Sequence, residues 1–299
     1  MLSSCSILIM TKISLKFLTV LLIATFTSSI GFSQTVQAPT NIPKEWSKSY
    51  DPFRIVGNVY YVGTYDLACY LITTTEGNIL INTGLASSGK QIRRNIEKLG
   101  FKFQDIKILL TTQAHYDHMA AMAEIKKLTG AKMLVDENDV QVVEDGGKSD
   151  YALGGEHSAY VPLKVDRILH DADVIALGSV KITMLHHPGH TKGSCSFIFD
   201  TKDGTKTYRV LIANMQTIVT ERKFSEVSDY PQIAADYTYT LQNMKKLTFD
   251  IWLSSHASQF NLHSKHKEGS GYHPEAFMDR AGYDQSLNNL SKAFETHNK

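Results

Sequence analysis

The sequence predicts an α+β fold in which two β-sheets pack face to face with helices on the outside. Three observations carry this expectation. Short runs rich in β-branched and aromatic residues, bounded by Gly, Asn and Asp turns, recur through both halves of the chain. Segments of helical periodicity separate some of these runs and not others, in the order strands, helix, strand, loop, helix, more strands, helix, strand, helix. Lastly, a cluster of polar residues and two later histidines each follow the end of a strand, which gathers them at one end of the sheets.

After a polar entry segment (37–50), residues 58–63 and 67–74 read as strands. Thr75-Glu-Gly-Asn78 then turns the chain into a third strand at 79–81, a meander of hairpins. From Ser87 the pattern is helical, with Ile92, Ile96 and Leu99 on one face and Gly100 as the stop. Residues 106–112 are short, apolar and β-branched, as a buried strand should be, and 119–128 have helix-forming composition closed by Gly130. A strand at 131–135 and a short helix at 137–143 follow. Gly146-Gly-Lys-Ser149 resembles the end of a phosphate loop, but the first glycine of that motif would fall on Val142, which excludes nucleotide binding there. Residues 148–162 read as a surface loop with His157 exposed. Three short strands (165–169, 174–177, 180–186) and a hairpin of 195–199 with 208–213 around Asp203-Gly204 come next. A helix from Pro231, a strand at 250–254 and a last helix from near Pro274 complete the chain.

The chemistry concentrates in Gln113, His115, Asp117 and His118, between the strand ending at Thr112 and the helix starting at Met119. A loop there can aim several side chains into one cavity, whereas a strand would send alternate residues to opposite faces. Asp117 alone would be an ordinary helix cap. Two histidines in equivalent loops downstream make unrelated polar loop residues the weaker explanation. Pro188 and Gly189 force a tight turn that presents His190, and Gly193 lets the backbone pass close to it; His186 and His187 still belong to the strand. His256 follows the strand at 250–254. Imidazole, amide and carboxylate donors without a thiolate suit zinc in an open catalytic site better than in a closed structural one. Thr217 follows another strand end and is placed to touch a substrate, as are Arg222 and Lys223, though plain surface solvation serves each equally well.

Composition bounds the rest. With 299 residues, 42% of them hydrophobic, the chain can bury one large core, and 31 basic against 30 acidic residues leave no basic patch to suggest nucleic acid. Cysteines stand only at 5, 69 and 195, too far apart for a metal pattern, and Cys69 and Cys195 fall in strand-like runs as buried free thiols. Lys12 and Lys16, an apolar run at 17–26 and Gly31-Phe-Ser33 have the order of a secretory signal. The apolar run is half the ~20 residues that a spanning helix needs, so no stable membrane anchor is expected. Residues 1–33 are therefore expected to be a signal peptide, with Met10 an alternative start, and 34–299 a single periplasmic domain acting as a monomer.

Gln113-Ala-His115-Tyr-Asp117-His118, Pro188-Gly-His190-Thr-Lys-Gly-Ser194 and Ser254-Ser-His256 resemble the motifs of the metallo-β-lactamase superfamily, an αββα sandwich holding two metals. The resemblance covers essentially all of 34–299. Gln113 stands where the superfamily has histidine, and it matches the GOB-type enzymes of the third metallo-β-lactamase subclass. So do the strings Pro43-Lys-Glu-Trp46, Tyr61-Val-Gly-Thr-Tyr-Asp66, Gly147-Lys-Ser-Asp-Tyr151 and Leu185-His-His-Pro-Gly-His190. Two further departures, Asn82 for a supporting aspartate and Met215 for a polar residue near the metals, are shared with the GOB type; they leave weaker outer support and no direct polar contact at 215 as expectations.

The resemblance implies a four-layer sandwich and one or two zinc ions per chain, the first held by Gln113, His115 and His190, the second by Asp117, His118 and His256. It implies hydrolysis of β-lactam antibiotics, carbapenems among them, by a zinc-bound hydroxide, since the metal lowers the water pKa to roughly 7. Asp117 would be both ligand and catalytic group, orienting the nucleophile, and Thr217 a substrate contact. The same hydroxide would serve a glyoxalase-type thioesterase or a lactonase, and a non-catalytic zinc protein is the third possibility.

Overall fold

The computed structural model describes residues 36–215 and 217–299; the expected signal peptide, with Cys5, lies outside the described residues. Seven strands form the first sheet in sequential order: β1 (Phe53–Val56), β2 (Val59–Tyr61), β3 (Tyr70–Thr74), β4 (Gly77–Ile81), β5 (Ile106–Leu110), β6 (Lys132–Asp136) and β7 (Arg167–Leu169). The first four pair antiparallel as a meander, and β4 to β7 run parallel because helices connect them. Five strands form the second sheet: β8 (Val174–Leu177), β9 (Val180–His186), β10 (Cys195–Asp203), β11 (Lys206–Ala213) and β12 (Ile251–Ser254), in the order β12-β11-β10-β9-β8.

Alternation along the strands separates two apolar layers. Ile72, Ile79, Ile81, Leu110 and Leu134 face the second sheet, while Leu71, Leu80, Leu109, Met133 and Val135 face helices. Those helices are α1 (Ser88–Lys98), which buries Ile92 and Ile96, and, past the one-turn α2 (Tyr116–Met119), α3 (Met122–Thr129), which buries Met122 and Ile125. Gly100 and Gly130 end them at φ +87° and +72°, a conformation that costs a glycine no Cβ clash. Across the second sheet, Tyr237 and Leu241 of α5 (Ile233–Met244) and Tyr283 and Leu287 of α7 (Arg280–His297) pack against Trp252 and its neighbours in the same core; α4 (Val140–Asp145) lies between β6 and β7 in sequence, and α6 (Leu262–Lys265) follows β12. This is the expected αββα sandwich.

Some local expectations change. β1 was not expected: its hairpin with β2 turns at Gly57, where an added Cβ would lie 2.3 Å from Thr201 Oγ1. Asp117 and His118 sit on α2 instead of an open loop, with His115 as its N-terminal flanking residue. Gly146 and Gly147, at φ +74° and +94°, terminate α4 and so have nothing to do with phosphate. Pro231 lies in the turn before α5, and Pro274 opens a separate 3-10 turn, with Asp279 accepting from the Gly282 N–H at the start of α7. Residues 148–162 are only partly surface: His157 is exposed, but Asp150, Tyr151, Ser158 and Tyr160 point inward.

Candidate metal centre

The ends of β5, β9, β11 and β12 meet over a cavity of about 350 Å³, lined by Gln113, His115, Asp117, His190, Thr217 and His256 among others. Trp46, Tyr116, Leu153, Met215 and Val219 supply its apolar wall. His118, fully buried, stands behind Asp117 and His256: those three offer ligand atoms within 4.8 Å of one another.

Outer hydrogen bonds decide which ring nitrogen each histidine presents. Asp66 Oδ2 accepts from His256 Nδ1 (3.0 Å) and from the Trp46 indole (3.2 Å), so His256 turns Nε2 toward Asp117 Oδ2 at 3.3 Å. His190 Nδ1 donates to the Thr217 carbonyl (2.7 Å), and His115 Nε2 donates to Asp150 Oδ2 (3.3 Å). The lone pairs left on His115 Nδ1 and His190 Nε2 then face each other at 3.1 Å. Two acceptors so placed repel unless a cation or a proton lies between them. His118 makes the same point: both of its ring nitrogens are buried without a hydrogen bond, while its Nε2 lies 3.2 Å from Asp117 Oδ2. A buried orphan donor or acceptor costs ~1–3 kcal/mol, which a metal ion relieves. The donor set therefore fits zinc.

Titration divides the histidines: burial opposes a charge on His115, yet the neighbouring Asp150 raises it. Burial, and then the neighbouring His115, lower His190 to about 3, and burial lowers His118, so both stay neutral, the form in which an imidazole can bind a metal. Burial would lift Asp117, but His118 and His256 hold it well below the carboxylate range. Burial likewise opposes a charge on His256, yet the hydrogen bonds it donates to Asp117 and Asp66 raise it to about 9, so without a metal it carries a proton that a bound cation would displace; Asp66, despite burial, falls to about 2 through His256.

Asp66, Asp139 and Asp150 were not singled out from the sequence as site residues. Asp66 and Asp150 lie inside the strings Tyr61–Asp66 and Gly147–Tyr151 quoted for the resemblance, a signal that could have found them. Asn82, at φ +62°, works on backbone: its Oδ1 accepts from the Thr112 N–H (3.0 Å), and the Thr112 hydroxyl meets that of Ser255 (2.8 Å), beside His256. Met215 does line the cavity with an apolar side chain. The Thr217 carbonyl is held by His190 and by the Tyr237 hydroxyl (3.0 Å), so this residue aims a histidine as well as lining the cavity. Arg222 and Lys223 are exposed and do not line it. His186 pairs with Asp136 (2.7 Å) and His187 with Ser196 (2.8 Å), away from the cavity. Cys69 and Cys195 are free and buried.

A family model described as the metallo-beta-lactamase superfamily matches residues 63–203. The class B3 di-zinc metallo-beta-lactamase LRA-12 from an Alaskan soil metagenome is 66% identical, with a TM-score of 0.87, over 88% of this chain and 100% of that structure. GOB-18 from Elizabethkingia meningoseptica is 58% identical, with a TM-score of 0.88, over 89% of this chain and 98% of that structure. Curated relatives are more distant: a probable metallo-hydrolase of Burkholderia pseudomallei is 30% identical over 112 residues, 38% of this chain and 36% of the relative, so the chain spans about a third of its length. The chain belongs to the metallo-β-lactamase superfamily and, within it, to the class B3 enzymes.

Proposed function

We propose that this chain is an exported zinc enzyme that hydrolyses the amide bond of β-lactam antibiotics, carbapenems included, as a monomer in the periplasm. The observation that carries the reading is the 66% identity to a class B3 di-zinc enzyme over that enzyme's whole length, in a chain whose cavity gathers Gln113, His115, Asp117, His190 and His256. Gln113, His115 and His190 would hold a first zinc, and Asp117, His118 and His256 a second. Zinc, when bound, supplies Lewis acidity and brings a coordinated water to a pKa near 7. Asp117, kept ionised in the cavity wall, accepts a hydrogen bond from the attacking water and holds its oxygen toward the lactam carbonyl. As the ring opens, the proton passes from the water through the Asp117 carboxylate toward the departing nitrogen. Trp46, Leu153 and Val219 give the ring system an apolar wall and exclude bulk water. Penicillins, cephalosporins and carbapenems share the lactam amide on which this machinery acts.

Purified protein is expected to hydrolyse a chromogenic cephalosporin, to lose that activity to dipicolinate or EDTA and to regain it with zinc. Serine-directed suicide inhibitors should have no effect, because the triplets S-D-N and K-T-G of serine β-lactamases are absent. Turnover of a lactone or a glutathione thioester without turnover of any lactam would overturn the reading. Export rests on the order of basic, apolar and small residues before Gln34. Among the described residues no helix is long and apolar enough to cross a membrane. Mass spectrometry of periplasmic protein should find a chain trimmed after Ser33, and an intact start at Met1 or Met10 would contradict it.

A further inference from the structure

Beneath the cavity lies a carboxylate that the proposed chemistry does not use. Asp139 is 1% exposed and, among the described residues, pairs with no cation. Its Oδ2 accepts from the Ala114 N–H (3.0 Å) and the Thr191 hydroxyl (2.7 Å), and its Oδ1 from the Gly193 N–H (2.8 Å). Ala114 stands between Gln113 and His115, and Thr191 directly follows His190. One buried side chain thus joins the two loops that carry these three residues, 25 and 52 positions away along the chain. Gly193 is what allows it: a Cβ there would lie 2.5 Å from the Asp139 backbone nitrogen and 2.7 Å from its side chain. His256 is held instead by Asp66, and the His118 carbonyl by the Thr83 hydroxyl, neither of which bonds to Asp139.

We propose that Asp139 is a positioning residue that sets the zinc affinity of the Gln113, His115 and His190 site selectively, by clamping its two loops at a fixed separation. This rests on the ligand assignment of the proposed function. A carboxylate can accept on both oxygens at once, and the clamp needs that. In Asp139→Asn the shape is kept, but whichever way the amide lies, its NH₂ opposes either the Gly193 N–H or the Ala114 N–H, so one loop is released. Loss of an outer partner of this kind costs ~10–100-fold in metal affinity.

The test is a zinc titration of the whole purified chain against a chromophoric chelator, with thermal unfolding measured alongside. Wild type should bind in two steps, and Gln113→His, which adds an imidazole, marks the first-site step by tightening it. Asp139→Asn should weaken that step by about tenfold or more and leave the other within about twofold. Thr191→Val removes a single donor, stays folded more readily, and should weaken the same step by less. Equal weakening of both steps, or unchanged affinities in the two variants, would overturn the clamp while leaving the zinc site standing. Absence of zinc binding by wild type would overturn the proposed function itself, and the clamp with it.

Discussion

Replacing Asp117 by alanine is expected to lower kcat on a cephalosporin by about a thousandfold, since a metal centre contributes several kcal/mol of charge stabilisation and each ~1.4 kcal/mol is tenfold in rate. The carboxylate does two things at once. Its Oδ2 lies 3.2 Å from His118 Nε2 and 3.3 Å from His256 Nε2, so it would be the anionic member of the proposed second donor set. Its place in the cavity wall lets it orient the attacking water as well. Without it, two imidazoles are left to hold a dication, and no ionised group remains to guide the nucleophile. Steady-state rates with zinc in excess check this: a variant within tenfold of wild type would remove Asp117 from the mechanism.

At Gln113 the expected loss is smaller, and its form differs. An amide is a weaker zinc donor than imidazole or carboxylate. On the proposed assignment the first site has two strong donors, His115 and His190, where the second has three. Gln113→Ala should lower first-site occupancy yet leave a protein that hydrolyses through the second site, with a rate well above that of Asp117→Ala. Gln113→His should retain zinc better than wild type on dilution. If water fills the place of Gln113 and the side chain is a bystander, both substitutions would leave zinc content unchanged.

Much of this was legible in the sequence, for physical reasons that differ from place to place. The layers were legible because strand alternation and helical periodicity are local patterns: Ile79 and Ile81 against Leu80, Ile92 with Ile96, and the glycine stops at 100 and 130. The residues that gather at the cavity were legible because three short motifs carry them next to strand ends. β1 escaped because four residues with a single turn glycine carry little periodicity. The outer carboxylates escaped for a deeper reason. Asp66 meets His256 across 190 positions, Asp150 meets His115 across 35, and Asp139 reaches Thr191 across 52, contacts between distant segments that no local pattern announces. Read alone, Asp139 is an acid at the start of a short helix, where an acid is favoured by the helix dipole whatever else it does.

The central claim is that six side chains form two zinc sites of unequal strength. Zinc per chain after gel filtration tests it most directly, measured on wild type, Gln113→Ala, Gln113→His and Asp117→Ala in parallel with their rates. The expected order of activity puts Asp117→Ala far below Gln113→Ala, with Gln113→His retaining the most zinc. Equal damage to zinc content and rate at positions 113 and 117 would contradict it.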